Sequence, residues 1–150
     1  MKIEEVIKAK NSVSNEKRTV LNILYTQNIL AEKFNEILKP FDVSAEQFNV
    51  LRILRGQKGK PAPMCAIQER MIARTSNTTR LVDKLVAKQL VTRKICSQNR
   101  RKMDIGITEK GLNLLRELDP LVDNQEKEHA RNLTTTELEQ LNTLLEKYRG

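Results

Sequence analysis

The segment from residue 74 to residue 93 reads RTSNTTRLVDKLVAKQLVTR, and two different periodicities meet within it. In its first part, apolar residues recur at spacings of three and four, which predicts a helix with one buried face. The residues expected on that face are Thr78, Leu81, Val82 and Leu85. Thr75 or Ser76 can cap the start of this helix through its side-chain oxygen. From Leu90 onward, apolar and polar residues alternate, which is typical of a β-strand.

A shorter helix is predicted just before this segment, because Met64, Ile67 and Met71 again follow helical spacing. The residues Ile72-Ala73-Arg74 then join the two helices in a tight turn. Two short helices joined in this way are typical of a helix-turn-helix. We therefore expect the centre of the chain to contain this motif.

A β-hairpin is predicted after the second of these helices. Residues 90–96 and 103–107 both alternate with a period of about two, and Ser97-Gln98-Asn99 between them has the composition of a turn. The tip of the hairpin then carries three consecutive cations, Arg100, Arg101 and Lys102.

Helices are also predicted on the N-terminal side of this central region. An apolar stripe over residues 20–38 predicts a long helix that ends before Pro40. Ser44 and Gln47 have the spacing of a capping box, which predicts a second, shorter helix. Residues 56–63 contain two glycines and two prolines, so we expect a loop there.

The C-terminal part of the chain also has helical patterns. Thr108 can cap a leucine-rich helix, in which Asp119-Pro120 predicts either a restarted helix with Asp119 as its N-cap or a kink. Thr134 and Glu137 form a capping box before a final leucine-rich helix, which can be buried within one subunit or can form a dimer interface. We favour the dimer. At the other end of the chain, the first dozen residues can either add a helical turn or fray.

Length and composition fit one compact subunit, because 150 residues with 39% hydrophobic content can bury one ordinary core. We recognise no secretory signal and no apolar run long enough to cross a bilayer, so we expect a cytoplasmic protein without membrane association. Cys65 and Cys96 lie far apart and lack the spacing of a zinc site. We expect them to be reduced thiols with no metal, cofactor or disulfide, and we favour an inert role over oxidation sensing.

The excess of positive charge lies in one segment. The formal net charge is +8, and residues 74–103 carry nine basic side chains against a single acid, Asp83. The rest of the chain is neutral overall. Such a concentration is expected where a surface neutralises phosphates and releases their counterions. No aromatic residue, on which unpaired bases could stack, occurs from Gln57 to Asp104, so double-stranded DNA is the favoured partner.

The run 74–93, together with Asn99-Arg100-Arg101 and Ile107-Thr108-Glu109-Lys110-Gly111, resembles the MarR family of bacterial transcriptional regulators. By element order, the resemblance extends from about Val20 to Tyr148. It implies a mainly α fold with a small β-hairpin wing.

The resemblance also implies how the subunit is organised. A winged helix-turn-helix lobe would span about residues 41–108, and dimerisation helices would span about residues 1–40 and 109–150. The family pattern implies an obligate homodimer. In many relatives a small amphipathic or phenolic effector releases the DNA, and the same is expected here.

Carried onto this chain, the resemblance makes the helix that begins near Thr75 the recognition helix in the major groove. The residue types fit this role independently, because Arg can contact guanine bidentately, Asn can contact adenine, and Ser or Thr can contact a base or a phosphate. The hairpin tip resembles the family's wing, with Arg101 at the position of an arginine that enters the minor groove. The candidate DNA-binding residues are Arg74, Thr75, Ser76, Asn77, Thr79, Arg80, Arg100, Arg101 and Lys102.

Two positions depart from the family pattern. Where the wing commonly has aspartate, this chain has Asn99, which can accept a hydrogen bond from Arg101 but offers no charge. Gln89 stands where the family often has the glycine that ends the recognition helix, so the C-cap there must use another geometry or a strained one. Three further lysines are expected to contribute only a non-specific field: Lys84, Lys88 and Lys94.

Together these features predict a sequence-specific DNA-binding transcriptional regulator, namely a repressor that binds a pseudo-palindromic operator as a homodimer. The alternative is a protein-interaction module that uses a winged-helix scaffold without reading DNA sequence. An enzyme is not expected, because the sequence has no Ser/His/Asp or Cys/His set, no phosphate-binding glycine loop and no metal-ligand cluster.

Overall fold

The computed structural model describes all 150 residues and contains seven α-helices and three short β-strands. The helices are α1 (Ile3–Val6), α2 (Asn15–Leu38), α3 (Ala45–Arg55), α4 (Met64–Arg70), α5 (Thr78–Ala87), α6 (Glu109–Ala130) and α7 (Thr135–Arg149). The strands are β1 (Ala62–Pro63), β2 (Val91–Ile95) and β3 (Met103–Ile107). The chain forms two compact units, Met1–Asp42 and Val43–Gly150. No helix combines the length and the apolar character that spanning a membrane would require.

The N-terminal unit consists of α1, α2 and a 3₁₀ turn over Lys39–Phe41. Helix α2 begins after Ser14, whose hydroxyl accepts a hydrogen bond from the backbone of α2 and so caps the helix. The first residues form a helical turn instead of fraying, since Ile3 is buried and Arg18 pairs with Glu4 at 3.0 Å. Of the two alternatives for the N-terminus, the helical turn is therefore the one observed.

The second unit is built around α3. The predicted capping box is present: the Gln47 N–H donates to Ser44 Oγ at 3.1 Å, and the Ser44 N–H donates to Gln47 Oε1 at 3.2 Å. Helix α3 then packs against α4, α5, α6 and β3. Its buried side contributes Val50, Leu51 and Leu54, each with at most 1% of its surface exposed. Helix α3 is thus the centre of the core on which the helix-turn-helix rests.

The sheet has three antiparallel strands in the order β1–β3–β2. Strands β2 and β3 form the predicted hairpin, with Arg93 opposite Ile105. The expectation of a loop through residues 56–63 was wrong at its end, because Ala62 pairs with Ile105 and Pro63 with Asp104. A two-residue strand is too short to show a period of two, and proline is tolerated there because β1 lies at the edge of the sheet.

Helix α6 begins at the predicted cap, where Thr108 Oγ1 accepts a hydrogen bond from the Gly111 N–H at 3.1 Å. The alternative of a helix restarting after Asp119 was wrong, because α6 continues through Pro120. The Asp119 carboxylate does not cap a helix and instead accepts two hydrogen bonds from the Arg55 guanidinium, at 2.8 and 3.0 Å. This bidentate pair joins α3 to α6.

The end of α5 shows how the chain stops a helix without glycine. Gln89 has a φ of +61°, the left-handed conformation that glycine adopts most easily. Its N–H donates to the Val86 carbonyl at 2.9 Å, and the Leu90 N–H donates to the Leu85 carbonyl at 3.0 Å. These two bonds make a Schellman motif, and Leu85 and Leu90 are both buried. The strained cap anticipated from the sequence is therefore present.

Replacing Gln89 with glycine is expected to stabilise the protein by about 1 kcal/mol, because glycine removes the clash between Cβ and backbone at positive φ. Urea unfolding measures this change. The matched control is Ala87→Gly, two residues earlier, where the backbone is still right-handed helix. This substitution should destabilise the fold by about 1 kcal/mol. Two glycine substitutions with the same sign would contradict the strained cap.

The final helix opens on the second predicted capping box. The Thr134 N–H donates to Glu137 Oε2 at 2.7 Å, the Thr134 hydroxyl donates to the same oxygen at 2.9 Å, and the Glu137 N–H donates to Thr134 Oγ1. The backbone hydrogen bond first, and then the hydroxyl, lower the pKa of Glu137 below its ordinary value. The ionised carboxylate is therefore the form that supports the start of α7.

A pH-dependent contribution of Glu137 follows. A carboxyl with a depressed pKa in the folded state stabilises the fold above its unfolded pKa, and this stabilisation is lost as the pH falls through the folded value. Glu137→Gln should therefore be less stable than the unchanged protein at pH 7, and the difference should shrink below about pH 4.5. Urea unfolding at several pH values tests this, with Glu139→Gln on the same helix as control. A difference independent of pH would argue against an ionised cap.

Candidate nucleic-acid interface

Helices α4 and α5 and the turn between them form the predicted helix-turn-helix. Helix α5 packs against α3, α4 and β2 through a buried side that contains Thr78, Val82 and Leu85. Its opposite side is exposed to solvent, and the exposed residues are Thr79, Arg80, Asp83, Lys84 and Ala87. The helix therefore presents a polar, mostly basic face outward.

The start of α5 differs from the sequence expectation. Neither Thr75 nor Ser76 caps the helix; Asn77 does, because its Oδ1 accepts a hydrogen bond from the Arg80 N–H at 3.1 Å. Ser76 instead belongs to the turn, where its N–H donates to the Ala73 carbonyl at 3.1 Å. A bidentate contact of the Asn77 amide with adenine would therefore have to use the second lone pair of Oδ1, since the first accepts from the Arg80 N–H.

Two side chains that the sequence analysis did not identify hold the turn in place. Gln68 of α4 donates from Nε2 to the Arg74 carbonyl at 3.0 Å and accepts a hydrogen bond from the Thr78 hydroxyl at Oε1. Asn49 of α3 accepts a hydrogen bond from the Ile72 N–H at 3.0 Å. These partners lie 6 to 23 residues from the amides in the chain, so no local spacing reveals them. The one indication in the sequence was an amide side chain on the side of a helix that packs against the rest of the protein.

A depression of about 490 Å³ lies at the start of α5. It brings together four of the nine candidate residues, and its lining consists of Glu46, Ala73, Thr75, Ser76, Asn77, Arg80, Leu81 and Lys84. Arg74 and Thr79 are exposed beside it but do not line it, and the Arg74 guanidinium donates to the Glu69 carbonyl. The depression is open and polar, which suits the edge of a base or a phosphate better than an apolar ligand.

The tip of the hairpin is closed by backbone hydrogen bonds. The Cys96 N–H donates to the Lys102 carbonyl, and the Lys102 N–H donates to the Asn99 carbonyl, each at 2.9 Å. Asn99 Oδ1 accepts a hydrogen bond from Arg101, as anticipated, but the donor is the backbone N–H, at 3.0 Å. The side chains of Arg100, Arg101 and Lys102 are exposed and lie outside the depression. The candidate residues thus form two separate groups, one on the helix-turn-helix and one on the wing.

Within the basic segment, residues 74–103, one cation is paired with an acid of the same segment. Asp83 on α5 pairs with Arg93 on β2, so the single acid of the segment is already neutralised. Lys88 is partly buried, and its Nζ donates to Gln47 Oε1 at 3.2 Å. The exposed cations therefore concentrate at the start of α5 and at the tip of the wing.

The two cysteines are both free thiols; Cys65 is exposed and Cys96 is partly exposed. No group of three or more His, Cys, Asp or Glu side chains is arranged to hold a metal ion.

A helix-turn-helix followed by a β-hairpin with cations at its tip defines a winged helix-turn-helix protein. Comparison with known proteins identifies the family: residues 43–103 match the model of the MarR family. The crystal structure of the MarR transcription factor from Planctomyces limnophilus is 30% identical in sequence and has a TM-score of 0.69, with 91% of this chain and 97% of that chain covered. This chain therefore belongs to the MarR family of transcription regulators.

Two further relatives show the same likeness. The transcriptional repressor MprA of Escherichia coli K12 is 27% identical over 124 residues, which cover 83% of this chain and 70% of MprA. A mutant of MarR from Escherichia coli, crystallised in complex with operator DNA, is 25% identical with a TM-score of 0.77, and 92% of this chain and 99% of that chain are covered.

Proposed function

We propose that this protein is a sequence-specific transcriptional regulator that contacts duplex DNA through α5 and the wing. One observation carries the proposal: the depression at the start of α5 brings the exposed side chains of Thr75, Asn77 and Arg80 together with the half-buried Ser76. The adjacent segment holds the entire charge excess of the chain. Donor side chains on a helix face of this kind fit the major groove, where base edges differ from one another.

The two groups of candidate residues have different roles in this proposal. Arg80, on the exposed side of α5, contacts guanine O6 and N7, while Ser76 and Thr75 in the turn contact a base or a phosphate. Arg101 on the wing enters the adjacent minor groove, where the negative potential is greatest over A·T-rich sequence. Of the remaining candidates, Asn77 holds the start of α5 as its N-cap. Arg74, Thr79, Arg100 and Lys102 contact the phosphates that fix the position of the protein.

We also propose that the active form is a homodimer. Several large apolar side chains are exposed on the long helices: Val20, Leu24, Tyr25, Ile29 and Leu30 on α2, and Leu141, Leu144 and Tyr148 on α7. On α7 these residues recur at three and four positions and so lie on one side of the helix. A second copy of the chain would remove this surface from water. Two-fold symmetry then requires a pseudo-palindromic operator with half-sites about 34–36 Å apart.

The proposed mode of action is repression in the bacterial cytoplasm, where the bound dimer excludes RNA polymerase or an activator from the operator. The likeness to the repressor MprA supports this direction of control. Release by a small amphipathic or phenolic molecule is part of the proposal. A panel of phenolic carboxylates added to the labelled protein–DNA complex tests it, and the same panel must leave a complex of an unrelated repressor intact.

Selection of bound duplexes from a random DNA library tests the central proposal. We expect the selection to recover a two-fold-symmetric motif. If the dimer neutralises about eight phosphates, a plot of log affinity against log salt concentration should have a slope of about −7. A slope of about −2 would contradict a phosphate footprint of this size. No enrichment at moderate salt would instead favour a protein-interaction module on the same scaffold.

A further inference from the structure

Glu46 is the one acidic side chain among the residues that line the depression at the start of α5. It is the second residue of α3, two positions after the Ser44 cap, and is exposed. The depression also contains Arg80 and Lys84, yet Glu46 forms no ion pair with either of them. Its carboxylate is therefore not neutralised by the cations around it.

A carboxylate in this place opposes non-specific binding. Most of the affinity of a protein for any duplex comes from cations that neutralise phosphates, and a nearby anion repels the same phosphates. An anion that weakened binding to every DNA sequence equally would only lower the affinity of the protein for DNA. It becomes useful if it accepts a hydrogen bond in the correct complex only, because it then penalises every other sequence.

The chemistry of the bases decides which sequence a carboxylate favours. In the major groove, guanine O6 and N7 and thymine O4 are acceptors, which an ionised carboxylate repels, whereas the cytosine N4 amino group is a donor that Glu and Asp accept from. Adenine also has an amino donor, N6, but the neighbouring N7 acceptor repels the carboxylate, so cytosine is favoured over adenine. Arg80 and Lys84, in the same depression, have the opposite preference and favour guanine. Donors and an acceptor lining one depression can together distinguish the two strands of a G·C pair.

We propose that Glu46 is a specificity-determining residue of the DNA interface, which accepts a hydrogen bond from a cytosine amino group in the operator and disfavours other sequences. The inference rests on the proposed DNA-binding function. It differs from a structural role, in which Glu46 would merely stabilise the positive end of the α3 dipole. Glu16 provides the matched control, because it occupies the same position after the Ser14 cap of α2, is exposed, and does not line the depression.

The experiment measures binding of the full-length protein, Glu46→Gln and Glu16→Gln to the selected operator and to a random duplex. We expect Glu46→Gln to bind the random duplex about threefold more tightly, since one repulsive charge is removed. The ratio of operator to random affinity should fall about fivefold or more. Repeating the library selection with Glu46→Gln should relax the preference for cytosine at one position in each half-site, while Glu16→Gln should leave motif and ratio unchanged.

The outcomes separate this inference from the function on which it rests. If the unchanged protein selects a symmetric motif and Glu46→Gln selects the same motif with the same ratio, Glu46 is not a specificity determinant although the DNA-binding function stands. Equal effects of Glu46→Gln and Glu16→Gln would likewise overturn the inference, since they would reflect net charge or helix stability. If the unchanged protein selects no motif, both proposals fail.

Discussion

Replacement of Arg80 with alanine is expected to weaken binding of the dimer to the selected operator about a hundredfold or more, because one good bidentate contact with guanine is lost in each half-site. Affinity for a random duplex should fall much less, because only one of several phosphate-neutralising cations is lost. The structural reason is that Arg80 lies on the exposed side of α5 while its backbone N–H is held by Asn77. The backbone at Arg80 therefore has a fixed position, and its side chain extends from α5 into solvent.

Binding of Arg80→Ala to both duplexes is measured by fluorescence anisotropy at one fixed salt concentration. Arg149→Ala is the control, because it removes one exposed cation from the last turn of α7, away from the helix-turn-helix. If both variants lose the same small factor on both duplexes, Arg80 acts only as a charge. Library selection with Arg80→Ala should in addition relax one guanine position in each half-site.

Replacement of Leu144 with glutamate is expected to separate the dimer and to weaken operator binding about a hundredfold or more, since each half-site must then be bound independently. Leu144 is 64% exposed in the single chain and lies on the apolar side of α7. A charge buried at that position in a dimer would be unpaired and costly. Sedimentation equilibrium measures the subunit association directly, and anisotropy measures the loss of DNA binding.

Thr143→Glu controls for the added charge. Thr143 is exposed, precedes Leu144 directly and projects from a different side of α7, about 100° from Leu144 and about 160° from Leu141 around the helix axis. The control variant should remain a dimer with unchanged operator affinity. A dimeric Leu144→Glu protein would contradict the proposed interface on α7, and a folded monomer that still binds the operator tightly would contradict the need for a dimer.

The parts of the fold that the sequence predicted correctly are those with local signals. The helix that carries Arg80, the hairpin that carries Arg101, and the three Ser or Thr caps all follow from spacings of a few residues. Gln89 is different, because the family resemblance pointed to it: the glycine missing there left either another geometry or a strained cap, and the strained cap is the one observed. Local periodicity and capping are short-range effects, so a single sequence contains them in full.

The parts that were missed depend on partners distant in the chain. Strand β1 exists because Ala62 meets Ile105, and two residues offer no period. Asp119 was assigned to a helix cap by local chemistry, although Arg55, 64 residues earlier, provides a stronger bidentate partner. Similarly, the role of Gln68 depends on where the turn comes back toward α4. Such tertiary partners override local preference, and a single sequence without an alignment does not reveal them.

The candidate interface shows the same division. Residue types at the start of α5 pointed to base contacts, and the structure gathers four of them in one depression. Which of them caps the helix was assigned incorrectly, because Thr75, Ser76 and Asn77 are all good caps and only the path of the turn selects Asn77. Glu46 was not recognised at all, since it is 28 residues before Arg74 and belongs to another helix.

The short strand β1 has a consequence for the geometry of the DNA. It ends at Pro63, directly before α4 begins at Met64, and it is hydrogen-bonded to β3, the strand that leads away from the wing tip. The first helix of the helix-turn-helix, α4, is therefore joined covalently to β1, and β1 is joined to the wing through its hydrogen bonds with β3. In the proposed complex, this connection would hold the major-groove and minor-groove contacts at one fixed separation, so that affinity would depend on the helical twist of the duplex as well as on its bases. Operators of identical half-sites but altered twist should be told apart.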